Sequence, residues 1–100
     1  MKERIYISGP MTGIKDNNRE LFYSAQLKLQ KEGFDTVNPL DMDTLENEGL
    51  TYKQRLKLDI RVLTYCDSIY MLPNWKQSKG ATFEHMVAIM IGLKVIDYGN

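Results

Sequence analysis

The stretch SIYMLPNWKQSKGATFE, residues 68–84, predicts a strand, a polar loop and the start of a helix. Residues 68–72 form a short apolar run that a proline ends. Residues 81–92 are apolar nearly all round, which is typical of a helix buried on several sides. If Ser78 caps this helix, Glu84 lies in its second turn. The stretch therefore indicates a buried strand that leads into a buried helix, with a carboxylate close to the junction.

The same alternation of strand and helix runs along the rest of the chain. The order βαβαβαβ with mostly apolar strands indicates a parallel sheet with helices on both faces. We predict one α/β domain over residues 1–100, a three-layer Rossmann-like (flavodoxin-like) sandwich with a four- to five-stranded parallel sheet. A fifth strand would have to lie within residues 41–50. The predicted strands are 4–8, 34–37, 68–72 and 94–98, and the predicted helices are 18–32, 51–65 and 81–92.

The amino-acid composition argues against nucleic-acid, membrane and metal partners. With 43% hydrophobic residues, the 100-residue chain can form one compact core. The 13 basic and 13 acidic residues balance, so no global field attracts a nucleic-acid polymer or a membrane surface. No apolar run approaches the roughly 18 residues of a membrane span. The single cysteine, Cys66, suits a reducing cytoplasm, and no His/Cys cluster has metal-ligand spacing. We expect a cytoplasmic protein without a metal or another cofactor.

The loop after the first strand is a candidate ligand loop, because ligands of open α/β sheets bind beyond the carboxyl ends of the strands. It reads SGPMTG, residues 8–13. The glycines permit close backbone approach, and Ser8 and Thr12 can donate hydrogen bonds to a phosphate or a sugar. The loop has neither the lysine of a Walker motif nor a GxGxxG pattern. An ordinary strand-to-helix turn is therefore the alternative interpretation.

Two carboxylates could serve glycosidic chemistry. Near the crevice, Glu84 is expected to be partly desolvated yet kept ionised by the helix N-terminus, as a carboxylate nucleophile requires. Simple compensation of the helix dipole, worth roughly 0.3 to 1 kcal/mol, is the alternative role. A second acid should protonate or orient the leaving group. Asp67 precedes its strand at the wrong end of the sheet, and Asp59 lies in mid-helix, where it points either to solvent or into a site.

Several segments together resemble the nucleoside 2-deoxyribosyltransferase-like superfamily. They are IYISGPMTG, NPL, DIRVLTYCDSIYMLP and WKQSKGATFE, followed by an alanine-containing helix and KVI. The chain looks most like the small superfamily members of uncharacterised function that phages and prophages often encode. The similarity covers nearly the whole chain in order.

The resemblance implies a Rossmann-like fold and a glutamate nucleophile that takes the ribose or deoxyribose C1′ from a nucleobase. Water or a second base then resolves the covalent glycosyl-enzyme. By position, Glu84 matches the nucleophile, Asp59 the family aspartate, and Tyr6 the first-strand tyrosine that hydrogen-bonds the nucleophile. We therefore expect Asp59 to point into the site.

The resemblance also implies where substrate binds. Ser78 stands where nucleotide-hydrolysing relatives have a serine near the 5′-phosphate, which favours a nucleoside 5′-monophosphate as ligand. Trp75 or Met11 would cover the base. The implied phosphate site lacks an evident arginine, since every arginine lies outside the motif loops, and Lys76 and Lys79 are near it only in sequence. The implied substrate-binding residues are Ser8, Gly9, Pro10, Met11, Thr12, Gly13, Trp75, Ser78 and Gly80.

Two main functions remain open at this point, and a structural or interaction role in which the pocket residues are relics is a third. The first is an N-glycosidase or 2-deoxyribosyltransferase that acts on nucleosides or their 5′-monophosphates through Glu84. The alternative is a non-catalytic nucleotide-binding module that senses or sequesters its ligand, which the missing arginine favours. Because family sites are often completed by a neighbouring subunit, we expect a homodimer or a larger homo-oligomer.

Overall fold

The structure, a computed structural model, describes residues 2–42 and 49–98. Four parallel strands form one sheet in the order β2-β1-β3-β4. Short 3₁₀ turns occur at Lys15–Asn18, Pro39–Met42 and Trp75–Gln77. The strands are β1 (Arg4–Ser8), β2 (Asp35–Val37), β3 (Ser68–Met71) and β4 (Lys94–Asp97), and the helices are α1 (Arg19–Lys31), α2 (Tyr52–Leu63) and α3 (Lys79–Met90).

The alternation of side chains along the central strands creates two cores. On β1, Ile5 and Ile7 pack with Phe22 of α1, while Tyr6 points to the opposite face. There it joins Ile69 of β3 in a second apolar cluster with residues of α2 and α3. Because successive strand residues face opposite sides, α1 covers one face of the sheet and α2 with α3 cover the other. The predicted three-layer α/β sandwich is confirmed.

Each predicted helix and strand is present, with ends that differ by at most two residues. Helix α3 begins at Lys79, earlier than predicted, because Ser78 Oγ accepts a hydrogen bond from the Ala81 N–H at 3.2 Å and caps the helix. Within the described part of the chain the sheet has four strands. The possible fifth strand falls largely on residues 43–48, which lie outside the described residues. In residues 2–42 and 49–98, no helix is long and apolar enough to cross a membrane.

The prediction that the last helix is buried on several sides is wrong. Ala81 and Ala88 of α3 are buried against the sheet, but Phe83, Met86 and Met90 are 39%, 50% and 76% exposed. The last three are spaced by three and four residues and so lie on one outer face. A helix that packs on a sheet through one side leaves its other side exposed, even when the exposed residues are apolar. The apolar composition of α3 therefore led to a prediction of more burial than the structure shows.

The sheet order places a crevice between β1 and β3. These neighbouring strands lead to helices on opposite faces, since α1 follows β1 and α3 follows β3 along the chain. The loops after the two strands therefore diverge at the carboxyl edge of the sheet. This is the topological switch point at which open α/β sheets bind ligands.

The loop after β1 approaches the end of β3 closely at Gly9. A Cβ atom added at Gly9 would lie 2.7 Å from Leu72 Cβ, too close without a backbone shift. We expect Gly9→Ala to lower the free energy of unfolding by about 1–3 kcal/mol, measured by urea denaturation. Gly80→Ala is the control, because its Cβ would come no closer than 3.4 Å to another side chain, the Tyr52 hydroxyl, and alanine favours a helix. Equal stability of Gly9→Ala and the wild type would contradict the close packing.

Candidate active site

Glu84 is a buried carboxylate held by two hydroxyl groups from β1. Tyr6 Oη donates a hydrogen bond to Glu84 Oε2 at 2.7 Å, and Ser8 Oγ donates one to Oε1 at 2.6 Å. Both hydroxyl residues are fully buried, and Glu84 is 6% exposed. Tyr6 and Ser8 are two residues apart on one strand, so they point to the same face, on which α3 packs. Each carboxylate oxygen thus has its own donor and a fixed orientation.

Burial sets the charge of this carboxylate. It raises the pKa of Glu84 from 4.5 to about 7, and the negative charge of Asp59 adds to the increase. The hydrogen bonds from Ser8 and Tyr6 act in the opposite direction, because they stabilise the ionised form. The sequence predicted a carboxylate kept ionised by the helix N-terminus. Instead desolvation dominates, and it favours the neutral form of Glu84.

Asp59 on α2 is the second buried carboxylate. It is 8% exposed and lines the same cavity as Glu84. Burial raises its pKa from 3.8 to about 6, and the positive charge of Arg55 moderates the increase. Its Oδ1 atom has no hydrogen-bond partner among the residues that the structure describes. The side chain therefore points into the site rather than to solvent, which the residue pattern alone left open.

A cavity of about 640 Å³ opens above these carboxylates at the switch point between β1 and β3. Its volume lies within the range of small-molecule sites. The walls come from the loop after β1, from α2 and from the loop and first turns that follow β3. The predicted site residues that line it are Gly9, Pro10, Met11, Thr12, Asp59, Ser78, Gly80 and Glu84.

Four predicted site residues lie outside this cavity lining. Tyr6 and Ser8 are fully buried and contact Glu84, so Ser8 orients the carboxylate and its hydroxyl does not reach a ligand directly. Gly13 is not part of the lining either. Trp75 stacks on His85, with 4.2 Å between the ring centroids, and both line a separate depression. Of the two side chains implied to cover a base, only Met11 is placed to do so.

Sequence reasoning missed several polar residues of the cavity, above all Arg55. It was set aside because it lies outside the motif loops, yet α2 carries it into the lining. Arg55 precedes Asp59 by four residues, so the two share one helix face, and this spacing could have revealed it. Lys79 also lines the cavity, whereas Lys76 does not. The other missed residues are Asn17, Tyr52, Asn74 and Gln77.

Within residues 2–42 and 49–98, no group of three or more His, Cys, Asp or Glu side chains could hold a metal ion. The two cavity carboxylates come from different helices and lack a third acidic or imidazole partner there. The chemistry that this arrangement offers is therefore that of two carboxyl groups with different pKa values, held next to a cavity.

Comparison with known proteins assigns this chain to a family. The sequence profile of a domain of unknown function, DUF4406, matches residues 3–97. The chain belongs to this family. A similar solved structure is that of a 2-deoxyribosyltransferase from Bacillus psychrosaccharolyticus, with a TM-score of 0.74 and 17% sequence identity over 94% of this chain and 70% of that one. No curated protein matches the chain by sequence. The DUF4406 chain thus has the 2-deoxyribosyltransferase fold, as the sequence resemblance implied.

In this DUF4406 protein, the hydrogen bond from Ser8 should lower the pKa of Glu84 measurably. Removing the hydroxyl in Ser8→Ala takes away the stronger of the two hydrogen bonds that favour the ionised carboxylate. The pKa of Glu84 should therefore rise above about 7. A titration of ¹³C-labelled glutamate side chains by NMR measures it, with Ser24→Ala, an exposed serine on α1, as the control. An unchanged Glu84 titration in Ser8→Ala would contradict this role.

Proposed function

We propose that this chain is an N-glycosidase or 2-deoxyribosyltransferase that cleaves the N-glycosidic bond of a nucleoside or its 5′-monophosphate. The proposal rests on the geometry around Glu84, a buried carboxylate that faces a cavity and has each oxygen hydrogen-bonded to a separate hydroxyl. A purely structural carboxylate has no need of a cavity of about 640 Å³ in front of it. The shared fold of the solved 2-deoxyribosyltransferase supports the same class of reaction.

In the proposed reaction, the ionised Glu84 attacks C1′ of the pentose. A bond forms between the carboxylate oxygen and C1′, the C1′–N bond breaks, and its electron pair stays on the base nitrogen. Water or a second nucleobase then attacks C1′, loses its proton to the acid group that protonated the first base, and releases Glu84 as a carboxylate. Hydrolysis yields the free pentose or its 5-phosphate, and transfer yields a new nucleoside or nucleotide. Tyr6 and Ser8 hold the attacking carboxylate in one orientation throughout.

Asp59 is proposed to donate a proton to the departing base. Its pKa of about 6 leaves part of the population protonated near neutral pH, and its Oδ1 is free of partners in the described part of the chain. Asp59 and Glu84 each raise the cost of ionising the other, since like charges repel. One protonated and one ionised carboxyl group is thus the favoured charge state. Because the pKa of Glu84 is the higher of the two, the reaction uses the less populated arrangement of that state, in which Glu84 is ionised and Asp59 is protonated.

One argument for the alternative, a non-catalytic nucleotide-binding module, no longer holds. It was favoured by a missing arginine, and Arg55 now lies in the cavity lining. A module that only binds also has no use for two hydroxyl groups that fix a carboxylate. The enzyme is therefore the function that this site supports best.

Release of free base tests the proposal. The pure protein is incubated with a panel of ribo- and deoxyribonucleosides and their 5′-monophosphates, with and without a spare base as acceptor, and the products are separated by chromatography. We expect base release from one substrate class, and exchange of the base if the protein is a transferase. Silence across the whole panel would contradict the enzyme and favour the binding module.

Two further expectations remain predictions. A homodimer or larger homo-oligomer is expected from the resemblance, and light scattering coupled to size-exclusion chromatography measures it. A cytoplasmic location is expected from the composition, and fractionation of the source cells tests it.

A further inference from the structure

The side of α3 that faces away from the sheet is an apolar surface. Phe83, Met86, Ile89 and Met90 are all exposed there, and their spacing places them on one side of the helix. No acidic side chain of α3 lies among them, because its only acid, Glu84, is buried. Single exposed apolar residues are ordinary, but a contiguous group marks an interaction surface. We call these four exposed residues the apolar ridge.

The exposed side of α2 carries a line of positive charge. Lys53, Lys57 and Arg61 are exposed and follow one another at intervals of four residues, so they lie in one row along the helix. Like charges at this spacing disfavour a helix, and no exposed acid of α2 offsets them. The only acid of this helix, Asp59, is buried and lines the cavity. We call the three cations the basic ridge.

The apolar and basic ridges run side by side. Helix α2 connects β2 to β3 and α3 connects β3 to β4, and these strands are parallel, so both helices run in the same direction. Both also cover the same face of the sheet. Their first turns meet, because a Cβ on Gly80 would lie 3.4 Å from the hydroxyl of Tyr52. Packed helices lie about 8 to 10 Å apart, so the two ridges form one surface.

We propose that the apolar and basic ridges form a docking surface for an acidic amphipathic helix of another protein. Phe83 and Met90 are about 10.5 Å apart along the helix axis, and an amphipathic helix presents its apolar anchors over the same length. The flexible side chains of Met86 and Met90 can adapt to such anchors. Acidic residues beside the anchors would lie opposite the basic ridge. None of the ridge residues lines the cavity, so the surface can bind a partner whether or not the protein cleaves nucleosides.

Charge favours this partner over two other occupants. A second copy that pairs α3 with α3 in antiparallel fashion would place the two basic ridges against each other, and like charges repel. Polybasic segments that bind anionic membranes carry about four to eight Lys or Arg residues, whereas the basic ridge has three and the chain has no net charge. An acidic helix satisfies both the apolar and the basic ridge.

A library of displayed helices tests the basic ridge. Yeast cells display helices of about five turns with a fixed leucine stripe and with Glu, Gln or Lys at random beside it, and are sorted for binding to the labelled protein. We expect Glu to exceed Lys about 10-fold or more at the flanking positions, because several ion pairs act together. Lys57→Glu combined with Arg61→Glu should reverse this preference. Lys31→Glu, exposed on α1 at the other face of the sheet, is the matched control and should leave it unchanged.

The affinity of a selected peptide tests the apolar ridge. Fluorescence anisotropy measures its dissociation constant for the wild type and for Met86→Gln combined with Met90→Gln. We expect the constant to rise about 10-fold or more in this variant, because the anchors lose their apolar contacts. Leu27→Gln, which removes an exposed apolar side chain from α1, is the matched control and should leave the constant unchanged. Thermal melting checks that each variant is folded.

Three results would overturn the docking surface. The first is a library that yields no binders, or binders without a preference for Glu. The second is a dimer in light scattering that becomes a monomer in Met86→Gln combined with Met90→Gln, since a second copy would then cover the apolar ridge. The third is binding to phosphatidylserine vesicles that the same variant loses, since the ridges would then face a membrane.

Discussion

Replacing Glu84 by glutamine is expected to lower kcat/KM for base release at least about 1,000-fold, because the change removes the attacking carboxylate. Glutamine keeps the size of the side chain, so no cavity is created. Hydroxyl groups can rotate, and Tyr6 and Ser8 can adjust their hydrogen bonds to the amide. Chromatography of the released base at substrate concentrations well below KM measures the loss. Glu84→Ala should be equally inactive.

The stability of Glu84→Gln provides the check that the protein is still folded. The pKa of Glu84 is about 7 in the folded chain and near 4.5 when exposed, so folding favours the protonated form. The stability that this group contributes is fully present below about pH 4.5 and is lost as the pH rises through about 7. The loss is on the order of 3 kcal/mol, and glutamine avoids it. We therefore expect Glu84→Gln to be more stable than the wild type above pH 7.

The exposed Glu32→Gln is the matched control, and should leave both base release and the pH dependence of stability as they are in the wild type. Thermal melting at several pH values measures the second quantity. A Glu84→Gln protein that releases base at the wild-type rate would exclude Glu84 as the nucleophile. A variant that is unfolded at every pH would instead indicate that the carboxylate is a structural element.

Asp59→Asn is the substitution with the second largest expected effect. If Asp59 protonates the departing base, its loss should lower kcat/KM about 100-fold or more. The wild-type rate needs an ionised Glu84 and a protonated Asp59, whose pKa values are about 7 and about 6. The rate should therefore be highest between about pH 6 and 7 and decline on both sides, as expected for a coupled pair.

The pH profile of Asp59→Asn separates proton donation from a structural role. The decline on the alkaline side should disappear, because asparagine has no proton to lose. The one remaining increase should follow the ionisation of Glu84 at a pH below about 7, because the negative charge of Asp59, which raises the pKa of Glu84, is gone. Asp35→Asn, an exposed carboxylate on β2, is the control and should leave the profile unchanged. A two-sided profile that persists in Asp59→Asn would contradict the assignment.

The candidate site was only partly predictable, and particular residues show why. The position of Glu84 in the second turn of its helix follows from a local cap, since Ser78 bonds the Ala81 N–H three residues on. The contact between Ser8 and Glu84 joins residues 76 apart in sequence, and no local pattern indicates it. The loop after β1 was expected to present the Ser8 hydroxyl to a ligand. It points to Glu84 instead because the side chain still belongs to the strand and follows its alternation.

The sequence by itself determined the order of the strands and helices, the parallel sheet and the edge at which the site lies. Those features depend on hydrophobic spacing, caps and turns, which act between residues that are close along the chain. Only the tertiary structure decided that Asp59 is buried, that Arg55 lines the cavity and that one face of α3 is exposed. It also decided that the pKa of Glu84 is about 7. Burial and charge depend on which distant residues pack together, and desolvation outweighs the local effect of a helix N-terminus.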